Sequence, residues 1–316
     1  MQKLVITARQ MTSIESLVEE KISALGAQLV WSFPEDQHFS STQMIELAQG
    51  ATVVIAGDDV MDEAFFADCQ DIRRIVRWGV GMDSVDHAAA EKQGVEVVNT
   101  PGILGRSVAE YAVGFIFLLS RHQHLVDAGV REGSWPKPRG KTVIGKTLGI
   151  VGYGDIGRQI GGLGKALGLD IVWFDPLTKP HPDLAGESLA LDDIVRQADF
   201  LVLSCPLTES TRNLANASLF GRMKPSSYLV NVSRGEVVNE KDLITALEKK
   251  WIAGAALDVF NMEPLPEGNA LLSMKNVILG SHNASNTEEG VRAVSEEALR
   301  LAVETLGNPD LLAGQD

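Results

Sequence analysis

Short apolar runs alternate along this chain with stretches whose apolar residues recur at helical spacing. In the first third, Leu4–Thr7, Gln28–Ser32, Thr52–Ala56, Arg73–Trp78 and Val95–Asn99 read as strands, and Ser13–Leu25, Gln43–Ala48 and Val85–Lys92 as helices between them. Alternation at this spacing predicts a parallel sheet with helices on both faces. Thr100-Pro-Gly102 then interrupts the pattern as a turn or hinge does. A long helix is predicted over Ser107–Asp127, and its middle, Ala112–Leu119, is apolar on most faces. Such a helix must be buried, between domains or against a second subunit. Beyond the Gly- and Pro-rich loop Gly133–Gly140, a second array opens at Lys146. Its strands are Leu148–Val151, Ile171–Phe174, Phe200–Cys205, Tyr228–Val232, Ile252–Val259 and Val277–Gly280, with helices over Asp155–Leu167, Leu191–Gln197 and Lys241–Lys250. That set fits a complete doubly wound fold. A last helix, Thr287–Leu306, has Asn286 as its N-cap and Glu289 placed to complete a capping box. Since it follows the sixth strand of the second array, it can return to the first domain and make that domain discontinuous.

The second array carries a fingerprint. The apolar run Leu148–Val151 leads directly into Gly152, Gly154 and Gly157, the spacing G-x-G-x-x-G, and a helix follows. Gly152 suits a tight turn, Gly154 a close approach to a pyrophosphate, and Gly157 close packing of helix on strand, while the helix N-terminus offers free N–H groups to phosphates. The next strand ends in Asp175, 18 residues after Gly157, where a carboxylate accepts hydrogen bonds from the adenosine ribose hydroxyls. A carboxylate there repels a 2′-phosphate, and Pro176–His181 holds no Arg and only one Lys. NAD is therefore expected rather than NADP.

Composition narrows the field further. The formal net charge of −14 argues against nucleic acid as a partner. A small anionic substrate needs only one or two local arginines and is compatible with it. Two cysteines, Cys69 and Cys205, make no disulfide scaffold and point to a reducing cytosol. No leader is visible before the first strand, and the longest apolar run is too short to span a bilayer. No Cys/His cluster suggests a metal; His122 and His124 stand two apart, a poor spacing for a shared ion.

Three ionisable residues follow strands of the second array: Arg234 in Val230–Glu236, Glu263 in Asp258–Pro266, and His282 in Ile278–Ala284. Ligands bind beyond the carboxyl ends of an open parallel sheet, so the three can converge on one cleft. Together they suit hydride exchange between NAD and a 2-hydroxy or 2-keto acid. Arg234 offers a planar fork for the substrate carboxylate. His282 is the proton donor and acceptor. Glu263 fixes the histidine's tautomer and favours its protonated form. Asp258, at its strand's end, can meet the nicotinamide side as an acceptor. Each residue alone has a plainer reading, as a surface arginine, a solvated loop acid or a turn histidine. Their joint placement after successive strands is what carries the catalytic one.

These residues resemble the D-isomer-specific 2-hydroxyacid dehydrogenases, most closely the 3-phosphoglycerate dehydrogenase branch in a short form without a regulatory domain. The marks are Arg77–Asp86, Asn99–Gly102, Ser107–Glu110, Gly145–Gly157, Pro206–Thr208, Asn231–Gly235, Asp258–Pro266 and Ser281-His282. The resemblance implies a Rossmann cofactor domain, residues 103–285, inserted into a flavodoxin-like substrate domain, residues 1–102 plus 286–316. It also implies catalysis by Arg234, Glu263 and His282, and a substrate carboxylate held by the backbone around Val80 and Gly81. Cofactor contacts are implied from Tyr153, Asp155, Ile156, Asp175, Cys205, Pro206, Val232 and Asp258, and a homodimer through the long helix. Two departures bear on the substrate. The loop after the third strand reads Ala56-Gly-Asp-Asp-Val60, where a phosphoglycerate enzyme is expected to carry a cation; Asp58 and Asp59 disfavour a dianion, leaving Arg77 as a candidate anion ligand. The segment Asn283–Thr287 is more polar than the resemblance implies. Hydroxypyruvate or glyoxylate reduction is the alternative activity. A nucleotide-sensing binding protein on the same fold is a second class, against which stand the complete trio and the short tail from Gly307 to Asp316.

Overall fold

In the computed structural model, which describes residues 1–307, two compact units form around separate parallel sheets. One comprises Met1–Leu104 with the segment from Asn286 onward, the other Gly105–Ser285.

The first unit holds β1 (Lys3–Ile6), β2 (Gln28–Trp31), β3 (Val53–Ala56), β4 (Arg74–Arg77) and β5 (Glu96–Asn99) in the order β2-β1-β3-β4-β5. Helices α1 (Glu15–Ala24), α2 (Ser41–Ala48), α3 (Glu63–Asp68) and α4 (His87–Lys92) connect them. Strand β3 is buried along its whole length because both faces of the sheet are covered, which is why it reads as an unbroken apolar run. One face packs on Phe39, Met44, Phe65 and Phe66. The other packs on Met11, Val18 and Ile22 and on Val294, Ala298 and Ala302 of α11 (Glu288–Gly307). That last helix therefore belongs to the first sheet. Arg74 pins it, pairing with Glu96 at 2.6 Å and donating to the Leu301 carbonyl at 2.8 Å.

Between these segments lie α5 (Gly105–Arg121), α6 (Gln123–Arg131), α7 (Asp155–Ala166), α8 (Leu191–Gln197), α9 (Ala217–Phe220) and α10 (Glu240–Glu248). The strands of this unit are β6 (Thr147–Val151), β7 (Asp170–Phe174), β8 (Glu187–Ser188), β9 (Phe200–Leu203), β10 (Tyr228–Asn231), β11 (Gly254–Leu257) and β12 (Val277–Leu279). Their order, β12-β11-β10-β9-β6-β7-β8, is that of a dinucleotide fold with one further strand. The order reverses between β6 and β9. Ile194, Phe220 and Leu243 of α8, α9 and α10 cover one face, and Ala112, Phe115, Ile116 and Ile160 of α5 and α7 the other.

Three local expectations are corrected. The helix drawn over Ser107–Asp127 is two helices, broken at His122, which adopts a left-handed φ of 53°. The break holds because the Lys141 N–H takes the Ser120 carbonyl at 2.7 Å, satisfying an acceptor at the end of α5. The two-residue strand β8 was not foreseen. At the start of α11 the cap is Thr287, not Asn286: its hydroxyl accepts from the Gly290 N–H at 3.1 Å. No capping box with Glu289 forms, because the third helical residue is Gly290. Thr287→Ala should cost about 1 kcal/mol, read as a lower denaturant midpoint with unchanged slope.

Candidate active site

The loops that leave β6, β7 and β9 meet at the sheet's switch point. Gly152 turns there with φ 91°, and a Cβ on it would lie 2.6 Å from Cys205 Cα, so only glycine fits where the two loops cross. A Cβ on Gly157 would collide with the Gly152 carbonyl, which ties the first turn of α7 to the end of β6. Gly154 is different. It caps the 12-residue helix α7 and is exposed, and a Cβ on it would meet nothing within 4 Å. Open space in front of unpaired helix N–H groups is what a pyrophosphate requires. Asp155 and Ile156 begin this helix, with the Asp155 carboxylate turned toward Gly105 at the start of α5.

Asp175 stands at the end of β7. One carboxylate oxygen accepts from the Tyr153 N–H at 2.7 Å; the other accepts from Leu177 and Thr178 N–H at 2.8 and 3.0 Å. Tyr153 presents only its backbone to this crevice. Its buried ring stacks on Trp173 with centroids 4.5 Å apart, and its hydroxyl donates to the Ala185 carbonyl at 2.5 Å. Burial pushes its phenol up to about 12. Cys205 and Val232 are buried, and Pro206 is exposed. Burial pushes the Cys205 thiol up to about 11, so it stays protonated and acts by shape alone.

At the other side of the switch point stand the loops after β10, β11 and β12. Asp258, directly after β11, is buried to 1% exposure, and its carboxylate accepts from Asn283 and Ala284 N–H at 3.0 and 2.8 Å. Its carbonyl accepts the His282 N–H at 2.7 Å. His282 takes a left-handed φ of 56° in this loop. Its Nδ1 lies 2.7 Å from Glu263 Oε2, while Glu263 Oε1 accepts the Phe260 N–H at 2.8 Å. Both side chains are about four-fifths buried, at 22% and 19% exposure. Arg234 follows β10, partly buried, with its carbonyl held by the Asn231 side chain at 2.8 Å. No group of metal-ligating side chains occurs among the described residues.

In the first unit, Arg77 is buried, its guanidinium paired with Asp58 and bonded to the Trp78 carbonyl. Asp59, at 1% exposure, accepts from the Thr7 hydroxyl and from Phe39 and Gly57 N–H. The loop with Val80 and Gly81 is held by Thr100, whose hydroxyl accepts the Gly79 N–H at 2.9 Å, and by Asn99, which donates to the Val80 carbonyl at 2.8 Å.

Residues 113–284 match the D-isomer specific 2-hydroxyacid dehydrogenase, NAD binding domain. The chain belongs to the D-isomer-specific 2-hydroxyacid dehydrogenases. It is 33% identical over 276 residues to a hydroxypyruvate reductase of Thermotoga maritima, covering 86% of this chain and 90% of that one. It is 35% identical over 290 residues to a D-3-phosphoglycerate dehydrogenase of Synechocystis, covering 89% of this chain and 52% of that one. Among solved structures, the D-lactate dehydrogenase of Lactobacillus jensenii with NAD+ superposes with a TM-score of 0.75 at 26% identity, over 97% of each chain. The protein is thus an NAD-dependent oxidoreductase of this dehydrogenase family, and the open glycine turn with Asp175 behind it fits that cofactor.

Gly157→Ala should weaken NADH binding more than tenfold, because the added methyl must displace a backbone carbonyl rather than a flexible side chain. Titration of NADH fluorescence checks this.

Proposed function

We propose that the chain interconverts a small, unphosphorylated D-2-hydroxy acid and its 2-keto acid, of the hydroxypyruvate and glyoxylate kind. The observation that carries this reading is the His282–Glu263 pair, held at 2.7 Å in loops at the ends of β11 and β12. With Nδ1 engaged by the carboxylate, Nε2 is the nitrogen assigned to proton exchange with substrate oxygen. In the reductive direction the imidazolium gives that proton to the carbonyl oxygen, and the neutral ring recovers it from solvent. Glu263 keeps the ring in one tautomer and stabilises its charged form. Arg234 supplies the planar fork for the substrate carboxylate. The hydride is the contribution of bound NADH.

Two observations support an unphosphorylated substrate over 3-phosphoglycerate. Arg77, the candidate anion ligand, is committed to Asp58 and buried. A carboxylate already balancing that charge disfavours a dianionic phosphate beside it. Asp59 is a structural residue, its acceptors spent on Thr7, Phe39 and Gly57. A homodimer belongs to the proposal, supported by Phe117, Val130, Trp135 and Ile144, which leave apolar surface exposed around α5 and α6. Its mass in solution should be twice 34.1 kDa. A reducing cytosol suits the two free, buried cysteines.

NADH oxidation over a panel of hydroxypyruvate, glyoxylate, pyruvate and phosphohydroxypyruvate tests the reading. The unphosphorylated acids should turn over fastest, and His282→Ala should lower kcat by roughly 10²- to 10⁴-fold. Preference for phosphohydroxypyruvate would overturn the substrate class. Bound NADH with no turnover on any acid would favour a nucleotide-sensing protein instead.

A further inference from the structure

In the cofactor crevice the backbone is held on both sides of one residue, Tyr153. The Tyr153 N–H donates to Asp175 Oδ2 at 2.7 Å. The Tyr153 carbonyl accepts twice, from Arg158 Nε at 3.1 Å and from the Thr178 hydroxyl at 3.3 Å. The glycine-rich turn after β6 and the loop after β7 are therefore tied through the two peptide groups that flank Tyr153. Thr178 is bound into this tie at both ends, since its own N–H donates to Asp175 Oδ1.

This arrangement limits what Asp175 can do. An ionised carboxylate offers about four acceptor positions. Three are taken by the N–H groups of Tyr153, Leu177 and Thr178, two of them on Oδ1. One position remains, on Oδ2, enough for a single ribose hydroxyl. The carboxylate is thus as much a clasp between two loops as a ligand for the sugar.

We propose that Thr178 and Arg158 are positioning residues for the adenosine end of NAD, acting through the Tyr153 carbonyl that they grip. With that carbonyl held on one side of the Tyr153 Cα and the buried ring stacked on Trp173, the residue is fixed in place, its N–H on the other side meets Oδ2, and the remaining acceptor position points one way. A corollary concerns selectivity: removing Asp175 abolishes the clasp together with its negative charge, so the change weakens NADH without admitting NADPH. The inference rests on the assignment of NAD to this crevice.

Titrations of the full-length protein with NADH and with ADP-ribose, which lacks only the nicotinamide, test it. Thr178→Val removes the hydroxyl and keeps shape and N–H; it should raise Kd for both ligands by the same factor, about five- to tenfold, as loss of one hydrogen bond predicts. Thr178→Ser should stay within about twofold of wild type on the same reckoning. Arg158→Leu should weaken both ligands as well, and the loss should persist at high salt, which separates a lost bond from a lost cation near phosphate. Unchanged Kd in Thr178→Val, or a gain in NADPH affinity in Asp175→Ala, would overturn the proposal. Failure of the wild type to bind NADH would instead remove the assignment beneath it.

Discussion

A buried carboxylate at the end of β11 is the constraint on which the loops around His282 depend. Asp258 is almost wholly withdrawn from water, and a charge so placed is tolerable only when hydrogen-bonded. The Tyr111 hydroxyl is one donor to it, and the backbone N–H groups of Asn283 and Ala284 are two more. Reaching both N–H groups obliges the chain leaving β12 to turn sharply over the end of β11. His282 sits at that turn, its N–H on the Asp258 carbonyl and its backbone left-handed. That conformation costs a non-glycine residue roughly 1–2 kcal/mol, which the loop sustains because three hydrogen bonds to one residue hold it. The turn delivers the imidazole to Glu263, itself anchored on the Phe260 N–H.

The cofactor side is built on a different economy. There the backbone makes the site and side chains support it from behind. Gly152 lies against Cys205 with no room for a methyl, Gly154 stands open, and Tyr153 turns its ring into the core against Trp173. Asp175 bridges the two loops through N–H groups. A pyrophosphate at this turn would meet backbone groups that every residue carries, so specificity has to come from where the backbone is placed. Placement in turn rests on the buried parallel strands β6, β7 and β9.

This explains which features were legible in the sequence. Strands buried on both faces betray themselves as apolar runs, and β3, β9 and most of β10 are visible for that reason. Glu187–Ser188 carries no such signal; it is a strand only because it pairs with Val172 and Trp173 of β7. The break in the long helix at His122 depends on Lys141, twenty residues away in the chain and invisible to local periodicity. Residues 308–316, most of the short tail, lie outside the described residues. The spacing of Arg234, Glu263 and His282 after successive strands could be read directly, because a parallel sheet puts the ends of all its strands on one edge. The pairing of Arg77 with Asp58 could not. It follows from the register of β4 on β3, in which Arg77 stands opposite Ala56 and brings Asp58, two residues on, to the guanidinium.

The two carboxylates around His282 divide their work in a way that has consequences for any change at this site. Asp258 holds the backbone of the loop; Glu263 holds the ring. The first sets where the imidazole is, the second which nitrogen bears the proton and how readily the ring stays charged. Loss of the Glu263 charge therefore acts on proton transfer while the loop keeps its course. Loss of the Asp258 charge strands two N–H groups and frees a left-handed residue to relax, so position fails before chemistry does. A left-handed residue whose ring is also paired needs these tasks separated, since one carboxylate could not answer the buried N–H groups and the ring Nδ1 at once.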